Sequence, residues 1–158
     1  MSKIRLPEAD LVRRTFIVKE ADLPPQVRMT KRSLLRWFAL SSGWISEQES
    51  RQTILDVLDA LFYYHLSKKA SPNVPEILNY VKEKTGEELS EKLLRYHLKR
   101  LTDSHFLIRD KQQYKFNPSP TGEPGDIVAS YNYWITQNVH KSTQNIENAL
   151  TDLTKTYL

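Results

Sequence analysis

Apolar residues recur at helical spacing in three consecutive stretches in the middle of the chain. In SEQESRQTILDVLDALFYYHLSKK they cover a face too broad for a surface helix, which predicts that residues 47–68 form a helix at the centre of the core. Ser46 and Glu49 have the spacing of a capping box, so this helix is predicted to begin directly after Ser46. The same spacing predicts two further helices, over residues 74–85 and 90–103.

The pattern changes to an alternation in FLIRDKQQYKFN, residues 106–117. Alternation is typical of a strand with one buried face, and the polar residues Asp110–Gln112 in its middle predict the tip of a β-hairpin. Three residues are expected on the core face of this hairpin: Ile108, Tyr114 and Phe116. Three basic residues are expected to point into solvent: Arg109, Lys111 and Lys115.

The N-terminal part of the chain, residues 1–45, is predicted to be an extension with one helix. It contains a candidate strand at Thr15–Lys19, which is followed by two prolines. The helix lies between Thr30, as the N-cap, and Gly43, which is placed for a left-handed stop.

The C-terminal part begins with a linker and continues as one long helix. Residues 118–125 are rich in proline and glycine, which is typical of a linker. Residues 126–158 carry apolar positions near one stripe, with a predicted kink or break around residues 140–144, where polar residues interrupt the pattern. The expected fold class is mainly α: a three-helix and hairpin domain over residues 46–117, an N-terminal helical extension and a C-terminal helix as a candidate dimerisation element.

Composition narrows the classes of function. The chain has no cysteine, which excludes a thiol nucleophile, a cysteine zinc site and disulfides. Its four glycines form no phosphate-binding loop, its histidines lack metal-ligand spacing, and no catalytic constellation can be placed on converging elements. We therefore expect a protein that is not an enzyme and has no cofactor or metal. No signal peptide or membrane-spanning stretch is predicted, so the expected location is cytoplasmic.

Charge is segregated along the chain, whose net charge is +4. Residues 1–45 carry nine Lys and Arg against four Asp and Glu, and residues 89–117 carry seven against three. The intervening stretch and the C-terminal stretch each carry more acidic than basic residues. Two basic blocks separated by an acidic one indicate a polyanionic partner such as a nucleic acid.

The motif YHLKRLTDSHFLI, Tyr96 to Ile108, is similar to the recognition-helix end of arsenical-resistance-repressor-type winged-helix regulators. The family pattern is a His-Leu pair, two polar residues, a Leu, three residues, a Gly-Leu pair and a short wing. The resemblance covers residues 46–117, and His105 stands where the family pattern has glycine. The stretches MTKRSLLRWFALSSG and SEQESRQTILDVLDALFYYH also resemble uncharacterised archaeal proteins that are described at most as candidate regulators.

The resemblance implies a winged helix-turn-helix domain that binds double-stranded DNA as a transcriptional regulator. In such domains the helix at 90–103 enters the major groove and the wing at 106–117 flanks the phosphate backbone. Carried over position by position, the residues nearest the bases would be Ser90, Glu91, Lys92, Arg95 and Tyr96. The residues expected at phosphates are Lys99 and Arg100 on the helix, and Arg109, Lys111 and Lys115 on the wing. A homodimer through the C-terminal helix is expected, and no small-molecule effector is indicated.

Several alternatives stay open at this level. The basic face of the helix at 90–103 could simply be a solvated surface, and His97 is expected to be a buried structural histidine rather than a ligand. Lys31, Arg32 and Arg36 could extend a DNA footprint or only solvate their helix. An N-terminal arm reaching a minor groove is the other basic candidate; its residues would be Lys3, Arg5, Arg13 and Arg14. The runner-up function is a winged-helix interaction or scaffold module in a nucleic-acid-processing assembly, and RNA is a third candidate partner.

Overall fold

The structure, a computed structural model, describes residues 4–158. Its elements are α1 (Lys31–Ser41), α2 (Thr53–Phe62), α3 (Val74–Thr85), α4 (Glu91–Asp103), β1 (Leu107–Asp110), β2 (Gln113–Phe116), α5 (Ile127–Tyr131) and α6 (Gln137–Tyr157). A π-helical turn, Tyr63–Lys68, continues α2, and a second one, Asn132–Thr136, joins α5 to α6. The strands form one antiparallel two-stranded sheet, so the predicted mainly helical class with a hairpin is confirmed.

The core is built around α2, as its broad apolar face predicts. Six of its ten residues are buried: Ile54, Leu55, Val57, Leu58, Ala60 and Leu61. The predicted start of this helix is wrong, because helical structure begins at Thr53. Ser46 and Glu49 form only an isolated turn, in which the Ser46 N–H donates to Glu49 Oε1 over 3.1 Å. The seven residues from Ser46 to Gln52 are all polar, so a helix there would have no apolar face to pack.

Local capping chemistry explains where α3 and α4 begin and end. Asn73 and Glu76 form a capping box at the start of α3, and Gly86 ends it in the left-handed region at φ +75°. The Ser90 hydroxyl accepts from the Leu93 N–H over 3.1 Å at the start of α4. His105 follows the end of α4 in the left-handed region, at φ +68°. A histidine therefore adopts this conformation at the position where the family pattern has glycine.

The hairpin corrects the predicted facing of its residues. Leu107 pairs with Phe116 and Arg109 with Tyr114, whereas Ile108 lies opposite Lys115. Because directly paired residues of an antiparallel ladder share a face, Ile108 does not share the core face with Tyr114. The reason is the turn, which consists of Lys111 and Gln112 alone, both at positive φ, instead of the predicted three-residue tip. One residue fewer in the turn shifts the register by one residue, which exchanges the two faces of β1 relative to those of β2.

The N-terminal extension lies against the three-helix unit without forming the predicted strand. Residues 15–19 have no regular secondary structure, although the Lys19 N–H donates to Ser41 O over 2.9 Å. One backbone bond to a helix end is not a strand ladder, so the strand prediction is wrong. The Ile17 side chain covers Gly43, where a Cβ would lie 2.5 Å from it. Gly43 is therefore required both for its φ of +78° and for this close approach.

The C-terminal helix runs without interruption from Gln137 to Tyr157, so the kink predicted around residues 140–144 is wrong. The stretch 126–158 contains no proline or glycine, and polar side chains in solvent do not break a helix without them. The irregularity lies one turn earlier, in the π-helical turn Asn132–Thr136. Within the described residues 4–158, no helix has the length and apolar character needed to cross a bilayer.

Candidate nucleic-acid interface

One face of α4 anchors the helix in the core. Its buried residues are Leu94, His97, Leu98 and Leu101. Leu94 and the two other leucines are at most 1% exposed, and Phe106 and Leu107 continue the buried run into the hairpin. Burial on this side fixes the rotation of α4 about its axis, and the residues at the opposite positions must therefore face solvent.

The opposite face of α4 is basic and exposed. Its predicted site residues there are Lys92, Arg95, Tyr96 and Lys99, all of which are exposed. They follow one another at spacings of three, one and three residues, so the basic stripe spans about 10 Å along the helix axis. Tyr96 is 55% exposed and lies among the cations. This arrangement can present several cations and one aromatic ring to a polyanion.

Two cations of this stripe are paired with carboxylates one helical turn away. Arg95 lies 3.3 Å from Glu91, and Lys99 lies 3.1 Å from Asp103. Both pairs are solvent-exposed, and exposed pairs of this kind contribute only about 0.3–0.5 kcal/mol. A phosphate can therefore replace either carboxylate at small cost. Within residues 4–158, Lys92 has no carboxylate within 4.0 Å, so it is the cation most available to a ligand.

The side chains of Ser90 and Arg100, two of the predicted site residues, hydrogen-bond to the backbone. The Ser90 hydroxyl is occupied as the N-cap of α4. The half-buried Arg100 donates through Nη2 to Trp44 O over 3.1 Å, and its guanidinium lies 5.6 Å from the Trp44 ring and 5.7 Å from the Tyr96 ring. A DNA contact by either residue stays a prediction, and it would have to coexist with these bonds or replace them.

The hairpin adds basic residues beside α4. Arg109 and Lys111 are exposed, and Lys111 occupies the turn itself. Lys115 is half-buried and lies 3.8 Å from Asp110, beyond the range of a strong hydrogen bond. β2 also bonds outside the hairpin, because the Tyr114 N–H donates to Pro72 O over 2.8 Å. This bond attaches the hairpin to the segment that connects α2 and α3.

The basic residues of the N-terminal block lie in three separate places. Lys31 and Arg32 pair with Asp59 and Asp56 of α2, at 3.0 and 2.9 Å, and so hold α1 against α2, while Arg36 is exposed. Arg13 and Arg14 line a groove at the C-terminal end of α4. Arg5 pairs with Asp10 at 2.9 Å, and Lys3 lies outside the described residues.

His97 is buried on the core side of α4, as predicted, and is 6% exposed. Its Nε2 shares a hydrogen bond of 2.8 Å with the Thr53 hydroxyl at the start of α2. Burial lowers the pKa of His97, and Arg100 lowers it further, while Glu49 acts weakly in the opposite direction. The imidazole is therefore held neutral, and it links α4 to the first turn of α2.

This pKa shift predicts a loss of stability in mild acid. When the pH falls below the ordinary histidine pKa of about 6.5, the unfolded chain binds a proton that the folded chain resists, so the free energy of unfolding decreases. Above that pH the group contributes no pH dependence. We expect the urea midpoint to fall between pH 7.5 and 5.5 by more in the wild type than in His97→Gln. Equal slopes in the two proteins would show that His97 does not titrate in this range.

Two features of the site could not be read from the sequence. The bond between Arg100 and Trp44 joins positions 56 residues apart, and the bond from Tyr114 to Pro72 joins strand β2 to the segment between α2 and α3. Within the described part of the chain, no group of three or more His, Asp or Glu side chains is arranged to hold a metal ion.

Comparisons with protein-family models, curated proteins and solved structures find no match for this chain.

Proposed function

We propose that this protein is a winged helix-turn-helix transcriptional regulator that binds double-stranded DNA in a sequence-specific manner. The observation that carries the proposal is the exposed basic stripe of α4, held in a fixed orientation by the buried opposite face. The element order supports it, since α2, α3 and α4 are followed by a basic two-residue-turn hairpin. The bond from Tyr114 to Pro72 supports it too, because it sets the hairpin against the α2–α3 connection.

In this proposal each part of the basic surface has a distinct role. Lys92, Arg95 and Tyr96, in the N-terminal half of α4, lie nearest the base edges, where arginine and lysine can donate to guanine. Lys99 neutralises a phosphate further along the helix. Arg109 and the other wing cations neutralise phosphates beside the groove, which adds affinity without adding sequence preference.

The proposal includes a homodimer formed through α6. Residues 140–158 are exposed, and four of them form an apolar stripe with spacings of four, three and four residues: Ile146, Leu150, Leu153 and Tyr157. These side chains are 50–85% exposed. Apolar residues with this spacing form the interface of a coiled coil, and a second copy of α6 would bury the four side chains. Two copies of α4 would then read a partly palindromic site.

Replacement of two stripe cations tests the DNA proposal. We expect Arg95→Ala with Lys99→Ala to weaken binding to a duplex about 10- to 100-fold, because each such contact contributes about 1–3 kcal/mol or one phosphate neutralisation. Lys141→Ala with Lys155→Ala removes the same charge from exposed positions on α6 and should leave affinity within about twofold. Fluorescence anisotropy with labelled duplexes measures both.

If the two variants lost the same amount of affinity, the loss would come from net charge alone, which would contradict the assigned role of α4. The same titration with single-stranded and structured RNA distinguishes RNA binding from DNA binding. A preference for RNA over the duplex would replace the DNA proposal.

The second candidate is an interaction module, which the exposed apolar residues favour. Besides the α6 stripe, the N-terminal extension exposes Leu6, Leu11 and Val12 at 69–77%. Surfaces of this kind commonly bind proteins. A monomer in solution that binds no nucleic acid but captures a protein through either segment would favour this reading over the regulator.

A further inference from the structure

A cleft of about 280 Å³ lies at the C-terminal end of α4, where Arg100 and Asp103 line it. Four separate parts of the chain line it: the N-terminal extension, the turn after α1, the end of α4 and the start of the C-terminal helix. Its apolar walls are aromatic: Phe16, Trp44, Phe106 and Tyr131. The size is close to the lower end of small-ligand sites and admits a single ring. Flat aromatic walls favour a flat ligand.

The cleft continues into a groove lined by cations. Arg100 lines both, and Arg13, Arg14 and His105 line the groove alone. Two of the arginines lie on the aromatic rings that line the cleft. The Arg14 guanidinium is 5.0 Å from the Phe16 ring, and Arg100 is 5.6 Å from the Trp44 ring. The cleft lined by aromatic rings is therefore continuous with a groove that Arg14 and Arg100 both line.

Two donors in this region are buried without a protein partner. Among residues 4–158, neither Arg14 Nη1 nor Trp44 Nε1 has a hydrogen-bond acceptor. Buried donors are normally paired, so these two leave hydrogen-bonding capacity unused beside the cleft and the groove. Asp103 lines both the cleft and the groove, and its carboxylate is paired with Lys99, 3.1 Å away. The unmatched groups are thus donors and cations, which fit an anion.

We propose that this cleft binds a small aromatic carboxylate, with the ring between the aromatic walls and the carboxylate at Arg14 and Arg100. Guanidinium groups bind carboxylates through paired charge-assisted hydrogen bonds, and a ring stacked on the walls adds apolar contact. The site would make the protein a small-molecule binder, whether or not α4 binds DNA. It differs from the α4 stripe in both position and ligand.

The test uses the full-length ¹⁵N-labelled protein and benzoate as the probe, followed by NMR. Benzamide is the neutral match for benzoate, and inorganic phosphate is an anion without a ring. We expect saturable shifts at Phe16, Trp44 and Tyr131 with a dissociation constant at or below about 1 mM. Benzamide should bind at least about tenfold more weakly, since it lacks the charge.

Variants locate the site and keep the test independent of folding. Arg14→Gln should weaken benzoate at least about tenfold. Arg51→Gln removes one exposed charge outside the cleft and should change nothing. The spectrum of each variant reports its fold directly. The proposal is overturned by equal binding of benzoate and benzamide, by phosphate binding without benzoate binding, by an Arg14→Gln variant that is folded and binds normally, or by no shifts up to about 10 mM benzoate, ten times the expected constant.

Discussion

Leu98→Ala is expected to lower the free energy of unfolding by about 2.7–5 kcal/mol. Leu98 is 1% exposed and lies in the middle of the core face of α4. Its replacement removes buried apolar contacts and leaves a cavity that the surrounding helices can only partly fill. Domains of this size have about 5–15 kcal/mol of stability in total, so the loss is a large part of it. Urea unfolding followed by circular dichroism measures the change.

The matched control for this substitution is its exposed neighbour. Lys99→Ala should change stability by less than about 0.5 kcal/mol, because Lys99 makes only an exposed ion pair with Asp103. The effects of the two variants on DNA affinity should be the reverse of their effects on stability. The folded fraction of Leu98→Ala should retain the affinity of the wild type, whereas Lys99→Ala should bind the duplex more weakly. A Leu98→Ala variant within about 1 kcal/mol of the wild type would contradict the anchoring of α4 by its buried face.

Leu150→Glu with Leu153→Glu is expected to convert the protein from a dimer to a monomer. Four carboxylates would meet in the apolar seam of the proposed coiled coil, where buried unpaired charge is strongly unfavourable. Affinity for a palindromic duplex should fall by about 100-fold or more, because the linked second half-site is lost. Light scattering after size exclusion gives the mass, and anisotropy gives the affinity.

The control for the dimer variant lies on the other side of the same helix. Asn148→Glu with Thr151→Glu adds the same charge to exposed positions outside the stripe. This control variant should still have the mass of a dimer. A wild-type protein that already has the mass of one chain would contradict the dimer. So would a Leu150→Glu, Leu153→Glu variant that stays dimeric.

The helices could be predicted because their causes are local. Apolar spacing placed α3 and α4 correctly, and the N-cap at Thr30 and the left-handed stop at Gly43 were confirmed. Capping and periodicity act within a few residues, so they are visible in the sequence. The start of α2 was wrong because a capping box at Ser46 does not make a helix when nothing apolar follows within one turn.

The hairpin and the surroundings of the site could not be predicted in the same way. The register depended on whether the turn holds two residues or three, and Asp110–Gln112 contains no residue that decides this. The attachment of Arg100 to Trp44 and the cleft beside it depend on how distant segments pack. Basic residues on α4 were predicted, but their availability for binding depended on the structure. Lys92 is exposed without a carboxylate partner in the described chain, whereas Arg100 is held by Trp44.

The central claim is that the basic stripe of α4 contacts DNA, and the salt dependence of duplex binding tests it most directly. The account predicts that the logarithm of the association constant falls linearly with the logarithm of salt concentration, with a loss of at least about 100-fold between 50 and 200 mM. Lys92→Ala with Arg95→Ala and Lys99→Ala should make this slope shallower by about one or more, since Lys99 alone of the three is assigned to a phosphate. Binding that does not weaken with salt, or a slope that the three replacements leave unchanged, would contradict it.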